Sequence, residues 1–274
     1  MTFDNVWFLS DYGLDDEFVG VVKAVIRAVA PHATVGDVTH SIPPHDIRAG
    51  ALALARSMQY LTLVPSVVLA VVDPGVGSDR RAVAVEAGGT NGEGPAAILV
   101  GPDNGLLAPA VAMAGGARRA VSLTNDDYHL PAPGPTFAGR DVFAPAAAHL
   151  SAGVDLAELG EPVDPIALLP GIVPLSRQEE GAVTGEVLWV DRFGNIQLNV
   201  DPDDLMLMDD PLVLVSGDKT RTAVRARTYS ELRSGQVGLV TDSYGLVSIV
   251  LDRRSAAEEL RIGSGDSVTI RPAE

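Results

Sequence analysis

Two rhythms of apolar residues run along this chain, and the switch between them predicts two domains. In the first part, short apolar, largely β-branched runs at 6–10, 34–38, 67–72, 82–86 and 96–101 read as strands. Between them the apolar residues take helical spacing. Phe18, Val21, Val22, Val25, Ile26 and Val29 share one face of a helix over 15–30, which Pro31 stops. Further helices are expected at 46–60, 106–114 and 142–151. Strand–helix alternation predicts a largely parallel sheet covered by helices.

After Gly153 the pattern changes. Pro162, Pro165, Pro170 and Pro174 punctuate a connector of little periodicity. From Gly185 short strands are expected at 186–190, 196–200, 211–215, 222–226, 238–241, 246–251 and 267–271, with one short helix at 255–260. That pattern predicts an antiparallel barrel or sandwich. The chain is thus read as α/β, with an α/β domain over 1–170 and a β domain over 182–274.

Composition narrows the function. Among 274 residues there are 20 basic and 36 acidic side chains, a net charge of −16. That balance argues against nucleic acid or an anionic membrane as partner. With no cysteine, disulfides, zinc–thiolate sites and thiol nucleophiles are excluded. The N-terminus has no basic segment followed by a long apolar one, and no apolar run reaches about 18 residues, so a cytoplasmic protein without a membrane span is expected.

The densest chemistry lies at the ends of strands. The run ending at Val72 breaks into Asp73-Pro74-Gly75-Val76-Gly77, which places the Asp73 carboxylate at a strand tip. Arg80 is close enough in sequence to fold back onto it. The pair reads either as a water- or proton-handling site or as an ion pair closing a turn. The Gly-x-Gly here lacks the third glycine of a dinucleotide loop, Arg80 standing in its place. Asp11 ends the first strand and is a candidate for a ribose diol, a helix cap or, least favoured, a metal. Asp15 and Asp16 are expected to cap the first helix. No metal site is expected, because no matching ligands stand at metal spacing. His45 is expected on a loop near a helix start, where it can line a pocket, and His129 in an exposed polar loop. Asp191 and Asn195 flank Phe193 in a turn that either reads a nucleobase edge and an amino group or simply closes a hairpin. The Asp242–Gly245 segment poses the same choice.

Seven segments in order change the weight of these readings: SDYG, DVTHSIPPHDIRAGA, VVDPGVGSDRR, GPDNGLL, TFAGRDVFAPAAAHLSAG, DRFGN and DSYG. Together they span nearly the whole chain, which resembles the S-adenosyl-L-methionine (SAM) hydroxide adenosyltransferases, adenosine-forming hydrolases related to the fluorinase and chlorinase. The resemblance implies a C-terminal β-barrel and a homotrimer with the substrate at subunit interfaces. It implies hydrolysis of SAM to adenosine and L-methionine by attack of water at the ribose C5′, with no cofactor. Asp73 and Arg80 match two of three water-handling residues. Asp11 matches the ribose ligand, and His45 a pocket-wall position. Asp191 and Ser243 match residues holding the methionine end. Asn195 matches an adenine reader, and Tyr229 an aromatic against adenine. Asp73 disfavours a halogenase, whose corresponding residue is not a carboxylate, and the Gly-rich turn at 88–94 is too short for the fluorinase insertion. One departure stands out: Ala138 occupies the position of the family's third water-handling residue, a histidine. A SAM-binding protein without turnover is therefore the alternative.

Overall fold

The computed structural model describes residues 1–89, 94–171 and 174–273. The central part of the Gly-rich turn at 88–94 lies outside the described residues. The chain divides into two compact units, 1–172 and 173–274.

In the first unit, β1 (Asn5–Ser10), β2 (Thr34–Thr39), β3 (Ser66–Val71), β4 (Ala82–Ala87), β5 (Ala97–Pro102), β6 (Ala117–Leu123) and β7 (Gly160–Val163) form one sheet in the order β2-β1-β3-β5-β4-β6-β7. The half from β2 to β5 is parallel, while β5-β4-β6-β7 is antiparallel. The sheet is therefore mixed, and the strand–helix alternation accounts for its parallel half. β6 and β7 escape the apolar pattern: Arg118 and Arg119 interrupt the first, and the second carries only four residues.

β3 and β5 are buried at every position. Such strands need helices on both faces. α1 (Phe18–Val29) and α4 (Ala144–Ser151) share one core with Phe8, Val67 and Leu69. The residues that alternate with them along the chain, Val68 within β3 and Val72 just after it, point to the other face because strand side chains alternate. There α2 (Ile47–Leu61) packs against α3 (Ala108–Met113). Gly50 of α2 permits that approach, since a Cβ there would lie 2.8 Å from Leu106 and 2.9 Å from Val72. Ile26 and Leu54 are fully buried, each contributing about 2 kcal/mol of apolar burial.

In the second unit, β9 (Ala182–Val190), β10 (Ile196–Leu198), β11 (Leu212–Ser216), β12 (Lys219–Arg225), β13 (Val237–Thr241), β14 (Val247–Val250) and β15 (Ser267–Pro272) form a closed barrel. Closure comes from β10, which pairs with both β9 and β14. β8 (Arg177–Glu179) extends β9 outside the ring. The barrel is antiparallel except where β12 runs parallel to β13. A crossover joins that pair, and Tyr229 lies on it. α5 (Ala256–Leu260) falls within the expected helix and is capped by Ser255.

Candidate active site

β1 and β3 are parallel neighbours, with Ser10 opposite Val71. Their chains therefore leave the sheet side by side, delivering Asp11 and Asp73 to one edge. The Asp-Pro-Gly turn is closed by the Val76 amide donating to the Asp73 carbonyl at 3.2 Å. Gly77, at φ 78°, takes the left-handed conformation that redirects the chain. Arg80 then returns onto Asp73. Its Nε donates to Oδ1 at 2.8 Å and its Nη2 to Oδ2 at 2.5 Å. The two side chains are 15% and 6% exposed, so this fork is sheltered from water, unlike a surface ion pair. The guanidinium also lies 5.2 Å from the centroid of the Phe143 ring. Asn104 braces the strand end by donating to the Val72 carbonyl at 2.9 Å. It is a support that only the GPDNG motif hinted at.

Asp11 accepts a hydrogen bond from the His45 amide at 2.8 Å. His45 thus reaches Asp11 through its main chain, in the left-handed conformation at φ 67°. The next residue, Asp46, caps α2 by accepting from the Ala49 amide. The expected capping of α1 does not occur. Glu17 is its N-cap residue and no side chain closes the end, so Asp15 and Asp16 are not caps. Behind Asp11, Ser10 Oγ and His40 Nδ1 are 2.8 Å apart, and His40 Nε2 lies 3.0 Å from Asp37 Oδ1. Ser10 is fully buried, so this Ser–His–Asp relay braces the turn and presents no nucleophile. The His40 carbonyl accepts from the Gly13 amide at 2.8 Å, tying β2 to the turn after Asp11.

The sequence pattern does not single out Tyr12. Its ring meets Phe18 and Phe137 edge-on, with centroids 5.8 and 5.7 Å away. Burial, and then repulsion from Asp11 and Asp73, push its hydroxyl above the usual tyrosine range, against an opposing pull from Arg80.

Arg80 also lines a cavity of about 680 Å³ together with Ser78, Ala138, His129 and Asp141. His129 is therefore half-buried against this cavity, a correction to its expected exposure. Its Nδ1 is 3.3 Å from the Asp126 carboxylate. The Ala138 methyl offers this wall no hydrogen-bonding group. Gly139 and the residues up to Phe143 form a single π-helical turn that leads into α4.

In the second unit, Asp191 is absorbed by its own turn. Its Oδ1 accepts from the amides of Phe193 and Asn195, and its Oδ2 from the Asn195 side chain. The Asp242 carboxylate likewise accepts from the Tyr244 and Leu246 amides and from the Gln197 and Ser248 side chains. Ser243 and Tyr229 are exposed. The 191–195 and 242–245 turns precede the antiparallel neighbours β10 and β14, so they lie at opposite ends of that pair. Among the described residues no three His, Asp or Glu side chains gather where a metal ion could be held. No helix among them is long and apolar enough to cross a membrane.

Sequence models of the SAM hydroxide adenosyltransferase N-terminal and C-terminal domains match residues 6–160 and 185–269. The chain is 43% identical to a Salinispora tropica protein named (R)-S-adenosyl-L-methionine hydrolase, over 96% of each chain. It is 42% identical to a Thermus thermophilus protein of the same name, over 97% of this chain and 98% of that one. A crystal structure of an uncharacterized conserved protein from Thermotoga maritima superposes with a TM-score of 0.86 at 32% identity, covering 97% of this chain and 99% of the other.

Proposed function

The chain belongs to the SAM hydroxide adenosyltransferase family, and on that premise we propose that it hydrolyses SAM to adenosine and L-methionine. The observation that carries the reading is the sheltered Asp73–Arg80 fork, set at the sheet edge beside Asp11. The relatives' name points to the (R) form of the substrate.

The reaction is a displacement at the ribose C5′. A lone pair of the water oxygen forms the O–C5′ bond. The C5′–S bond breaks, and its electron pair leaves on sulfur as a neutral thioether. The water's proton passes to Asp73 and then to solvent. The sulfonium is already cationic, so the leaving group needs no acid, and no cofactor takes part. Each carboxylate oxygen of Asp73 has a lone pair beyond the one Arg80 occupies, so the carboxylate can orient and deprotonate the water. Arg80 stabilises hydroxide character as it develops. Substrate positioning falls to Asp11 for the ribose diol and to the His45 loop for the pocket wall. Asn195 and Tyr229 take the adenine, and Asp191 and Ser243 the methionine end. A homotrimer with interface sites and a cytoplasmic location belong to the same proposal and rest on the family resemblance.

Ala138 favours one competing reading, SAM binding without turnover. Chromatography of an incubation with each SAM epimer in chloride-free buffer separates the readings. Adenosine and methionine are expected from the (R) form. Tight binding without product supports the competitor, and a 5′-halo product on adding halide supports a halogenase.

A further inference from the structure

The proposed water site has a carboxylate, a guanidinium and, at Ala138, a methyl group. We propose that the Tyr12 hydroxyl is its third polar member, a fixed hydrogen-bond partner of the attacking water beside Asp73 and Arg80. This rests on the hydrolase reading above and names a residue that reading does not use.

Three observations converge on Tyr12. The first is its direction. Tyr12 follows Asp11 at the tip of β1, and its amide donates to Ser10 Oγ at 3.3 Å. Its ring is wedged among Phe8, Phe18 and Phe137, so the side chain has little freedom to turn away. The second is where the hydroxyl ends. It rests against Gly139, immediately after Ala138, and a Cβ built on Gly139 would lie 2.1 Å from it. Glycine is thus required here by the hydroxyl itself, at the start of the turn whose neighbour, Ala138, lines the cavity with Arg80. The third is electrostatic. The hydroxyl lies within the field of Asp11, Asp73 and Arg80, so it shares their edge of the sheet.

Among the described residues this hydroxyl has no hydrogen-bond partner, the Tyr12 amide making the residue's one hydrogen bond. A polar group so placed is satisfied by water. Burial and the nearby carboxylates keep its proton on at any ordinary assay pH. Tyr12 is therefore a donor of fixed charge state. It holds the water through a lone pair not used in attack, while Asp73 takes the proton. It keeps its own proton throughout, so its role is positioning without proton transfer.

The test is a two-by-two comparison of SAM turnover in the wild type, Tyr12→Phe, Ala138→His and the double variant, with melting temperatures alongside. Tyr12→Phe is expected to lower kcat about tenfold, in the range of a lost positioning contact to the nucleophile. KM should stay within about twofold. An imidazole at position 138 supplies an alternative partner for the water. The Tyr12→Phe loss should therefore shrink to under about threefold in the Ala138→His background. Gly139→Ala displaces the same hydroxyl and should lower kcat likewise. An unchanged kcat in Tyr12→Phe, a loss confined to KM, or the same loss in both backgrounds would overturn the proposal while leaving the hydrolase reading in place. Absence of adenosine from the wild type would remove that reading, and this proposal with it.

Discussion

The two units hold their candidate carboxylates in opposite ways. At the sheet edge of the first unit, among the described residues the Asp73 side chain binds a single partner, Arg80, and Asp11 accepts one main-chain bond from His45. Both keep unused lone pairs. In the barrel, Asp191 accepts three hydrogen bonds within its own turn, and Asp242 accepts two from its turn's amides and two from the Gln197 and Ser248 side chains. A carboxylate with spare capacity can take a proton or bind a ligand. One with most or all of its lone pairs taken mainly holds a loop in shape. On the proposed reading, reactivity belongs to the α/β unit, and shape and recognition to the barrel.

The largest effect that tests this contrast is expected from Asp73→Asn. It keeps the size and most of the hydrogen bonding but removes the basic oxygen. Turnover should fall by about 10² or more, with a much smaller change in SAM affinity. Steady-state kinetics under saturating SAM checks it, and an unchanged kcat would return Asp73 to the role of a turn-closing ion pair. Asp191→Ala should behave differently. It removes three hydrogen bonds from one turn and should cost about 1–3 kcal/mol of stability, read as a lower melting temperature. It should weaken SAM binding about tenfold while kcat stays near wild type. A kcat loss as large as that of Asp73→Asn would erase the distinction between the units.

A smaller effect belongs to Tyr12. Its folded-state proton affinity is raised, so its stabilising contribution is complete below the ordinary tyrosine pKa of about 10 and is lost as pH rises above it. Denaturant unfolding from about pH 8 to about pH 11 should show the wild type losing stability relative to Tyr12→Phe only at the alkaline end. Parallel curves would contradict the raised proton affinity.

Much of this arrangement is legible in the sequence, for identifiable reasons. The β3 run is apolar from Val67 to Val72 and stops at Asp-Pro-Gly, so the position of Asp73 follows from local rules. The barrel strands stand out because turn residues separate them at short, regular intervals. What the sequence hides is set by distant contacts. β6 is masked by Arg118 and Arg119, and Arg119 is placed there by Glu86 on the neighbouring β4. The parallel β12–β13 pair depends on a crossover that no local pattern announces. His45 looks like a side-chain ligand, yet it reaches Asp11 through its amide, because the positive φ before the α2 cap turns that group toward β1. Tyr12 is hidden for a similar reason: its partner Gly139 lies far along the chain, and in isolation DYG reads only as a turn.

The most direct measurement of the central claim is hydrolysis of SAM in water enriched in ¹⁸O, with mass spectrometry of both products. Attack of a water held by Asp73 and Arg80 at C5′ predicts one heavy oxygen in the adenosine 5′-hydroxyl and none in methionine, at a rate that collapses in Asp73→Asn. Unlabelled adenosine, label in methionine, or labelled adenosine formed equally fast by Asp73→Asn would contradict it.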